Sequence, residues 1–200
     1  MAVLWKEQPQ LDAPLVEVSY PEFREWQRRS RSFSGFAAVG ASPAKMSLTG
    51  RERPESLTGA LVSGEMATVL GVRPAEGRLL APEDDRVGTE RMIVLSDALR
   101  RRLFGPPGEG REAVGQRLIL SETSYTVAGV LPPSFDYPPG AEFWVPATAA
   151  FPQVADDRTI GFLRVVENPL IQGFEILTAS AANQAGQVRL AAGRRAATRP

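Results

Sequence analysis

The chain has 200 residues, of which 43% are hydrophobic and 23% charged, enough to bury the core of one domain or of two small ones. Its formal net charge of +0 gives no reason to expect a nucleic-acid partner. It contains no histidine and no cysteine, which excludes Ser-His-Asp triads, histidine-ligated metal sites and disulfides. No segment has the roughly 18 apolar residues of a membrane helix, and residues 1–6 do not resemble a signal peptide, so the sequence predicts a soluble chain.

A helix beginning at Ser19 is the clearest predicted element. Ser19 and Glu22 have the spacing of a capping box, and Pro21 occupies the first turn, where its missing N–H costs nothing. Phe23 and Trp26 are one turn apart, so they share a face that we expect to pack against a sheet.

Strands and short helices alternate irregularly along the rest of the chain, which predicts the α+β class. Ser63 and Ser96 are predicted to cap two short helices, which Gly71 and Gly105 end, and residues 73–90 have the composition of a loop. The predicted strands are Ala2–Trp5, Phe36–Val39, Lys45–Leu48, Glu55–Val62, Met92–Leu95, Arg117–Leu120, Tyr125–Val130, Phe143–Val145 and Phe162–Val166.

Three polar motifs could form a metal, catalytic or charged binding site, but a structural role as a loop, a turn or a helix end is the favoured interpretation of each. Glu83-Asp84-Asp85 lacks the alternating oxygen ligands of a calcium loop, so we expect a solvated acidic loop and no metal. Ser42 and Lys45 have the Ser-x-x-Lys spacing of penicillin-recognising enzymes, but they lie between predicted strands and the companion motifs are missing. Arg100-Arg101-Arg102 crowds a helix end, where cations suit the dipole, so we expect surface charge.

Two groups of aromatic residues could form binding surfaces, but packing in the core is the favoured interpretation. The first group lies on the predicted helix and could bind an amphiphile; the second flanks proline-rich loops and could face a partner, although we expect Trp144 to be packed. The groups are Tyr20, Phe23 and Trp26, and Phe135, Tyr137, Phe143 and Trp144.

An ordered series of short segments resembles the periplasmic core domain of MacB-type ABC transporter permeases over about residues 3–166. Each segment is weakly specific, and their order and spacing carry the resemblance. They include Ser19-Tyr20-Pro21-Glu22-Phe23, Leu70-Gly71-Val72-Arg73-Pro74, Ile93-Val94-Leu95-Ser96 and Phe143-Trp144-Val145-Pro146. The family-motif positions are Tyr20, Pro21, Phe23, Trp26, Leu70, Gly71, Val72, Pro74, Gly77, Arg78, Asp84, Ser96, Phe104, Gly115, Gly129, Val130, Pro133, Trp144 and Pro146.

The resemblance implies a non-catalytic domain that lies between two transmembrane helices on the extracytoplasmic side of an inner membrane. It has two lobes: a porter-like lobe, here residues 1–72 plus 160–166, and a smaller inserted α/β lobe, residues 78–145. Its partners would be the permease's own transmembrane helices and a separate cytoplasmic ATPase, with a homodimer as a further expectation. ATP-driven helix motion would be passed to the lobes, and from them to substrate or to an envelope partner. No cofactor, metal or catalytic residue is implied.

The chain also departs from the family pattern. The family's membrane helices are missing, residues 167–200 read as a divergent, disordered tail, and the hairpin turn Ser121-Glu122-Thr123-Ser124 replaces an Asn-Gly-like one. A truncated or frameshifted reading frame would account for the ends. The alternatives are a stand-alone soluble binding or envelope-assembly module derived from this domain, and a hydrolase using Ser42 and Lys45.

Overall fold

The computed structural model describes residues 2–4, 6–7, 15–29, 35–50, 53–108 and 111–167. The helices in these ranges are α1 (Tyr20–Arg29), α2 (Met66–Leu70), α3 (Asp97–Phe104) and α4 (Ala147–Ala150), and a 3₁₀ turn follows at Pro152–Val154. None of these helices is long and apolar enough to span a bilayer. The strands are β1 (Ala2–Leu4), β2 (Lys6–Glu7), β3 (Leu15–Val16), β4 (Phe36–Gly40), β5 (Ala44–Thr49), β6 (Glu55–Val62), β7 (Glu76–Gly77), β8 (Met92–Leu95), β9 (Arg117–Leu120), β10 (Thr123–Val130), β11 (Phe143–Pro146) and β12 (Leu163–Glu167).

One mixed sheet organises the fold. Its strand order is β1-β12-β4-β6-β11-β8-β10-β9-β5, with β7 paired to β10, and β2 pairs with β3 separately. Because β5 also pairs with β6, six of the strands close into a ring, β6-β11-β8-β10-β9-β5. β4, β12 and β1 continue outward from β6 as an open wing. The predicted α+β class is confirmed.

The core follows from the alternation of side chains along the strands. Phe143 and Val145 of β11 lie in one apolar cluster, to which all six ring strands contribute and to which α3 adds Leu99. Trp144 points the other way, into a second cluster with α2 and the loop before β8. A third cluster packs α1, through Phe23, against β4 and β12. The ring is therefore filled by side chains, and its outer face is covered beside Trp144 but exposed along β5 and β9.

Local capping signals are largely confirmed. The Glu22 carboxylate accepts the Ser19 N–H at 3.0 Å and the Ser19 hydroxyl at 2.9 Å at the start of α1. The Ser96 hydroxyl accepts the Leu99 N–H at 3.1 Å, so Ser96 caps α3. Gly71 ends α2 in the left-handed conformation, with φ of 65°. These elements are specified by residues a few positions apart.

The predicted Ser63 cap is wrong. The N-cap of α2 is Glu65, which makes no side-chain capping bond. The Ser63 hydroxyl instead accepts the Ala38 N–H at 3.0 Å, and the Ser63 N–H donates to the Ala38 carbonyl at 2.8 Å. Ser63 therefore joins the end of β6 to β4, because a distant strand offers its hydroxyl a buried partner.

The β9–β10 hairpin is tighter than its sequence predicts. The four-residue loop Ser121–Ser124 is reduced to two residues because β10 begins at Thr123. Ser121 and Glu122 both have positive φ, 46° and 65°, as a type I′ turn requires. Neither residue is suited to that conformation, which costs about 1–2 kcal/mol for a residue other than glycine.

We expect Glu122→Gly to raise the free energy of unfolding by about 0.5–1 kcal/mol, because glycine adopts positive φ without steric cost while losing more entropy on folding. Urea unfolding would measure the change. Gly115→Ala, at a φ of 82° in open space, should change stability in the opposite direction. Destabilisation by Glu122→Gly would contradict this interpretation of the turn.

Candidate functional site at the contact between the predicted lobes

The two predicted lobes meet along the ring. β6, from the porter-like range, pairs with β11, and β5 pairs with β9, from the inserted range. The boundaries of the lobes stay a prediction, while these pairings show that the two ranges share hydrogen-bonded strands. The disordered tail was predicted to begin at residue 167, but Glu167 is the last residue of β12, where it pairs with Ala2 and Phe36. Residues 168–200 lie outside the described residues.

A buried carboxylate, Asp85, ties three distant segments together beside this junction. Its Oδ1 accepts the Thr148 N–H and the Thr148 hydroxyl, each at 2.9 Å, and its Oδ2 accepts the Tyr20 hydroxyl at 2.9 Å. Asp85 is 6% exposed, Tyr20 5% and Thr148 2%. We call Tyr20, Asp85 and Thr148 the Asp85 clasp. It joins α1 and α4 through the loop before β8.

The electrostatics of the clasp are set by its burial. Burial raises the pKa of Asp85 above its ordinary value and outweighs the hydrogen bonds from Thr148 and Tyr20, and the charge on Glu65 acts in the same direction. Burial, followed by the charge on Asp85, also raises the pKa of Tyr20, so its hydroxyl keeps its proton and acts as a donor. Tyr20 and Thr148 therefore stay protonated, and Asp85 is the group of the clasp that can change charge.

A second contact of α1 lies next to the clasp. Arg24 donates to Glu65 Oε1 at 2.9 Å and to Gln27 Oε1 at 2.8 Å. The other oxygen of Glu65 is buried and has no hydrogen-bond partner within the described part of the chain. The turn before α2 thus brings a carboxylate close to the clasp.

The acidic run is not a solvated loop, which corrects the sequence interpretation for two of its three residues. Glu83 is exposed, whereas Asp84 and Asp85 are 8% and 6% exposed. Asp84 accepts two hydrogen bonds from Arg78, at 2.6 and 2.8 Å, and one from the Ala81 N–H at 2.8 Å. Although burial opposes it, these bonds lower the pKa of Asp84.

The neighbouring carboxylates face different partners, so the run does not form a metal cluster. Asp84 turns to Arg78 and Asp85 to Tyr20 and Thr148. Across the described ranges, no group of three or more acidic, histidine or cysteine residues is arranged to hold a metal ion.

Arg100 is also not the surface charge that its position predicts. It is 3% exposed; its Nε lies 2.8 Å from Glu76 Oε1 as an ion pair without hydrogen-bond geometry, and Nη1 donates to the Gly105 carbonyl. Arg101 and Arg102 are half-exposed and pair with acidic residues, as surface cations do. Arg100 is buried because β7 lies against α3 and supplies a carboxylate.

The Ser42–Lys45 pair lies where a turn was expected. Ser42 is in a bend after β4 and Lys45 is in β5, so the pair is not at a helix start, and both side chains are exposed. Both line a shallow, largely apolar groove of about 330 Å³. A serine nucleophile activated by Lys45 therefore has no geometric support here.

The aromatic groups pack as predicted. Tyr20 and Phe23 are buried and meet edge to face with ring centroids 5.9 Å apart. Trp144 is fully buried, contacts Phe135 edge to face at 5.4 Å, and donates its indole N–H to the Tyr137 carbonyl at 2.8 Å. Tyr20, Phe23, Phe143 and Trp144 are core residues, and the half-buried Trp26, Phe135 and Tyr137 pack against the core clusters.

The family-motif positions do not lie together in one cleft. Their role as structural positions of the family stays a prediction. Three local groups form: Arg78 pairs with Asp84, Gly77 opposes Gly129, and Tyr20 joins the clasp. The others lie in helices, turns and strands: Pro21, Phe23 and Trp26 in α1; Leu70, Gly71, Val72 and Pro74 around the end of α2; Ser96 and Phe104 at the ends of α3; Gly115 and Pro133 in turns; Val130 in β10; Trp144 and Pro146 in β11.

Sequence reasoning missed three residues of the site. Thr148 and Glu65 carried no signal, because a threonine after a strand and a glutamate before a short helix are commonplace. Asp85 was noticed only as part of a charged run. Its burial depends on Tyr20, 65 positions earlier, and Thr148, 63 positions later.

Comparison with solved structures identifies the fold. The fold is similar to the periplasmic region of MacB from Actinobacillus actinomycetemcomitans, at 13% identity and a TM-score of 0.59 over 86% of this chain and 76% of that one. It is similar to the extracellular domain of the noncanonic ABC-type transporter YknZ from Gram-positive bacteria, at 15% identity and 0.56 over 83% and 81%. A domain of a putative permease protein from Porphyromonas gingivalis gives 15% and 0.59 over 86% and 76%. This chain therefore shares its fold with these three solved domains.

The chain belongs to the MacB-like periplasmic core domain family, whose sequence model matches residues 3–189. The predicted resemblance is confirmed, and the match continues beyond residue 166, where the resemblance was expected to end. No curated protein matches the chain.

Proposed function

We propose that this chain is the extracytoplasmic domain of an ABC-type permease and couples ATP-driven motion of transmembrane helices to export or to movement of an envelope partner. The family match over residues 3–189 is the observation that carries the proposal. The domain does no covalent chemistry. Its partners are the permease's own membrane helices and a separate cytoplasmic ATPase.

The topology supports a domain set between two membrane helices. β1 pairs antiparallel with β12, so Ala2 lies opposite Glu167 in the sheet. The first and last strands of the described fold are therefore neighbours, and a pull on β1 acts directly on β12 and, through it, on β4. From β4 the load reaches α1 through the third core cluster.

These 200 residues contain no cysteine, so the location can be tested chemically once any cysteine elsewhere in the complete gene product has been replaced. In the complete gene product, Ser42→Cys places a thiol at an exposed bend, and we expect a membrane-impermeant maleimide to label it in intact cells. Val94→Cys is the matched control, because position 94 is fully buried and should react only after denaturation. Labelling of the Ser42→Cys variant only after the cells are permeabilised would overturn the extracytoplasmic location.

The coupling role needs a second measurement. Spin labels at Arg28→Cys on α1 and Val87→Cys in the loop before β8 report across the clasp, since both side chains are exposed. We expect their distance to change between nucleotide states of the assembled transporter, while a Val87–Ile119 pair within the inserted range does not. An unchanged distance during active transport would overturn the coupling role. Recovery of the complete protein without membrane or ATPase would instead favour a stand-alone binding module.

A further inference from the structure

We propose that the Asp85 clasp is a proton-controlled lock, which holds α1 against the loop before β8 and α4 when Asp85 is protonated and loosens when Asp85 ionises. The inference deepens the proposed function by naming a regulated contact between the lobes. The lock itself can be tested on the purified chain, without any transporter.

The geometry allows the protonated form to keep both bonds from Thr148 and to exchange the Tyr20 bond for one in the opposite direction. Asp85 Oδ1 would still accept both donors of Thr148, and a proton on Oδ2 could be donated to the Tyr20 oxygen in place of the bond observed at 2.9 Å. The Tyr20 hydroxyl could then turn toward the Asp85 carbonyl, 3.5 Å away. Protonation therefore removes a buried charge without leaving a buried donor unpaired.

The ionised form is the less favourable one because Asp85 is buried and, within the described residues, no ion pair with a cation offsets that burial. Of the charged groups on the elements packed around Asp85, Arg24 of α1 pairs with Glu65, and Arg91 donates to the Ala149 carbonyl of α4. On its own loop, Arg78 is held by Asp84. Within the described residues none of these cations forms an ion pair with Asp85, while Glu65 adds negative charge and Tyr20 stays neutral.

The direction of the pH dependence follows from the raised pKa of Asp85. The folded clasp holds its proton more tightly than an open one does. Its stabilisation is complete below the ordinary aspartate pKa of about 4 and is lost as the pH rises through the raised pKa. The contribution of Asp84 to stability depends on pH in the opposite direction, because its pKa is lowered and its stabilisation is lost as the pH falls.

Hydrogen exchange at the Thr148 amide measures the opening of the clasp directly, since this N–H donates to Asp85. After correction for intrinsic exchange, we expect its opening constant to rise with pH by about tenfold per pH unit between the ordinary and the raised pKa. The Leu131 amide, which donates to the Leu95 carbonyl inside the ring, serves as the reference and should not follow this slope.

Three variants decide the proposal. Asp85→Asn keeps the two bonds from Thr148 and can donate to Tyr20, so it should flatten the pH slope without exposing the amide. Asp84→Asn should leave the slope at Thr148 intact. Tyr20→Phe should raise the opening constant several-fold at every pH. Three results would each overturn the lock: an unchanged pH slope of the Thr148 opening constant in Asp85→Asn, a slope of opposite sign in the unmodified chain, or no effect of Tyr20→Phe.

The lock and the proposed function can fail separately. If the lock fails while the Arg28–Val87 distance still responds to nucleotide, the proposed function survives. If the lock holds and that distance does not respond, the proposed function fails alone.

Discussion

Replacement of Trp144 by alanine is expected to lower the free energy of unfolding by about 3–5 kcal/mol. Trp144 is fully buried and lies on β11 between Ala60 of β6 and Val94 of β8, at the centre of the sheet. Removing the indole opens a cavity between the sheet and the 132–141 loop and leaves the Tyr137 carbonyl without its donor. Urea unfolding followed by far-ultraviolet circular dichroism would give the difference.

Two matched variants separate the causes of that loss. Trp144→Phe retains an aromatic ring beside Phe135 but not the N–H donor, so it should cost about 1–3 kcal/mol. Trp26→Ala removes the same side chain from a half-buried site on α1 and should cost less than Trp144→Ala. A loss below about 1 kcal/mol for Trp144→Ala would mean that the 132–141 loop collapses into the space.

Elements specified by nearby residues could be predicted from the sequence. The start of α3 depends on Ser96 and the Leu99 amide, and the end of α2 depends on the left-handed Gly71. In β11 the run Phe143–Pro146 is apolar throughout, and the structure buries both of its faces. Such signals act within about four residues or along one strand, where periodicity and capping chemistry are sufficient.

The features that failed depend on partners far along the chain. Ser63 was predicted to be a cap but bonds Ala38, and Arg100 was predicted to be surface charge but pairs with Glu76 of β7. Closure of the ring rests on β5 pairing with both β6 and β9, a topology that strand patterns do not reveal. The same limit hid the Asp85 clasp, because the burial of a carboxylate is a property of the assembled fold.

We expect Gly129→Ala to destabilise the protein by about 3 kcal/mol, the upper end of the range for overpacking. Gly129 of β10 lies opposite Gly77 of β7, and an added Cβ would stand 2.3 Å from the Arg78 carbonyl oxygen and 2.5 Å from that of Glu76. These are backbone atoms, so the strand must move as a whole. Urea unfolding would measure the cost.

Gly71→Ala is the matched control, because glycine is needed there for its positive φ and not for lack of space around a Cβ. Position 71 has a φ of 65° but no atom within 4 Å of an added Cβ, so alanine there should cost only about 1 kcal/mol of conformational strain. In Gly129→Ala, displacement of β7 should also separate Glu76 from Arg100 and loosen the segment that carries Arg78 to Asp84. The 76–85 segment reaches the clasp, so faster exchange at the Thr148 amide should accompany the loss of stability. Equal costs at the two glycines would show that β7 yields easily, and that it does not hold the clasp in place.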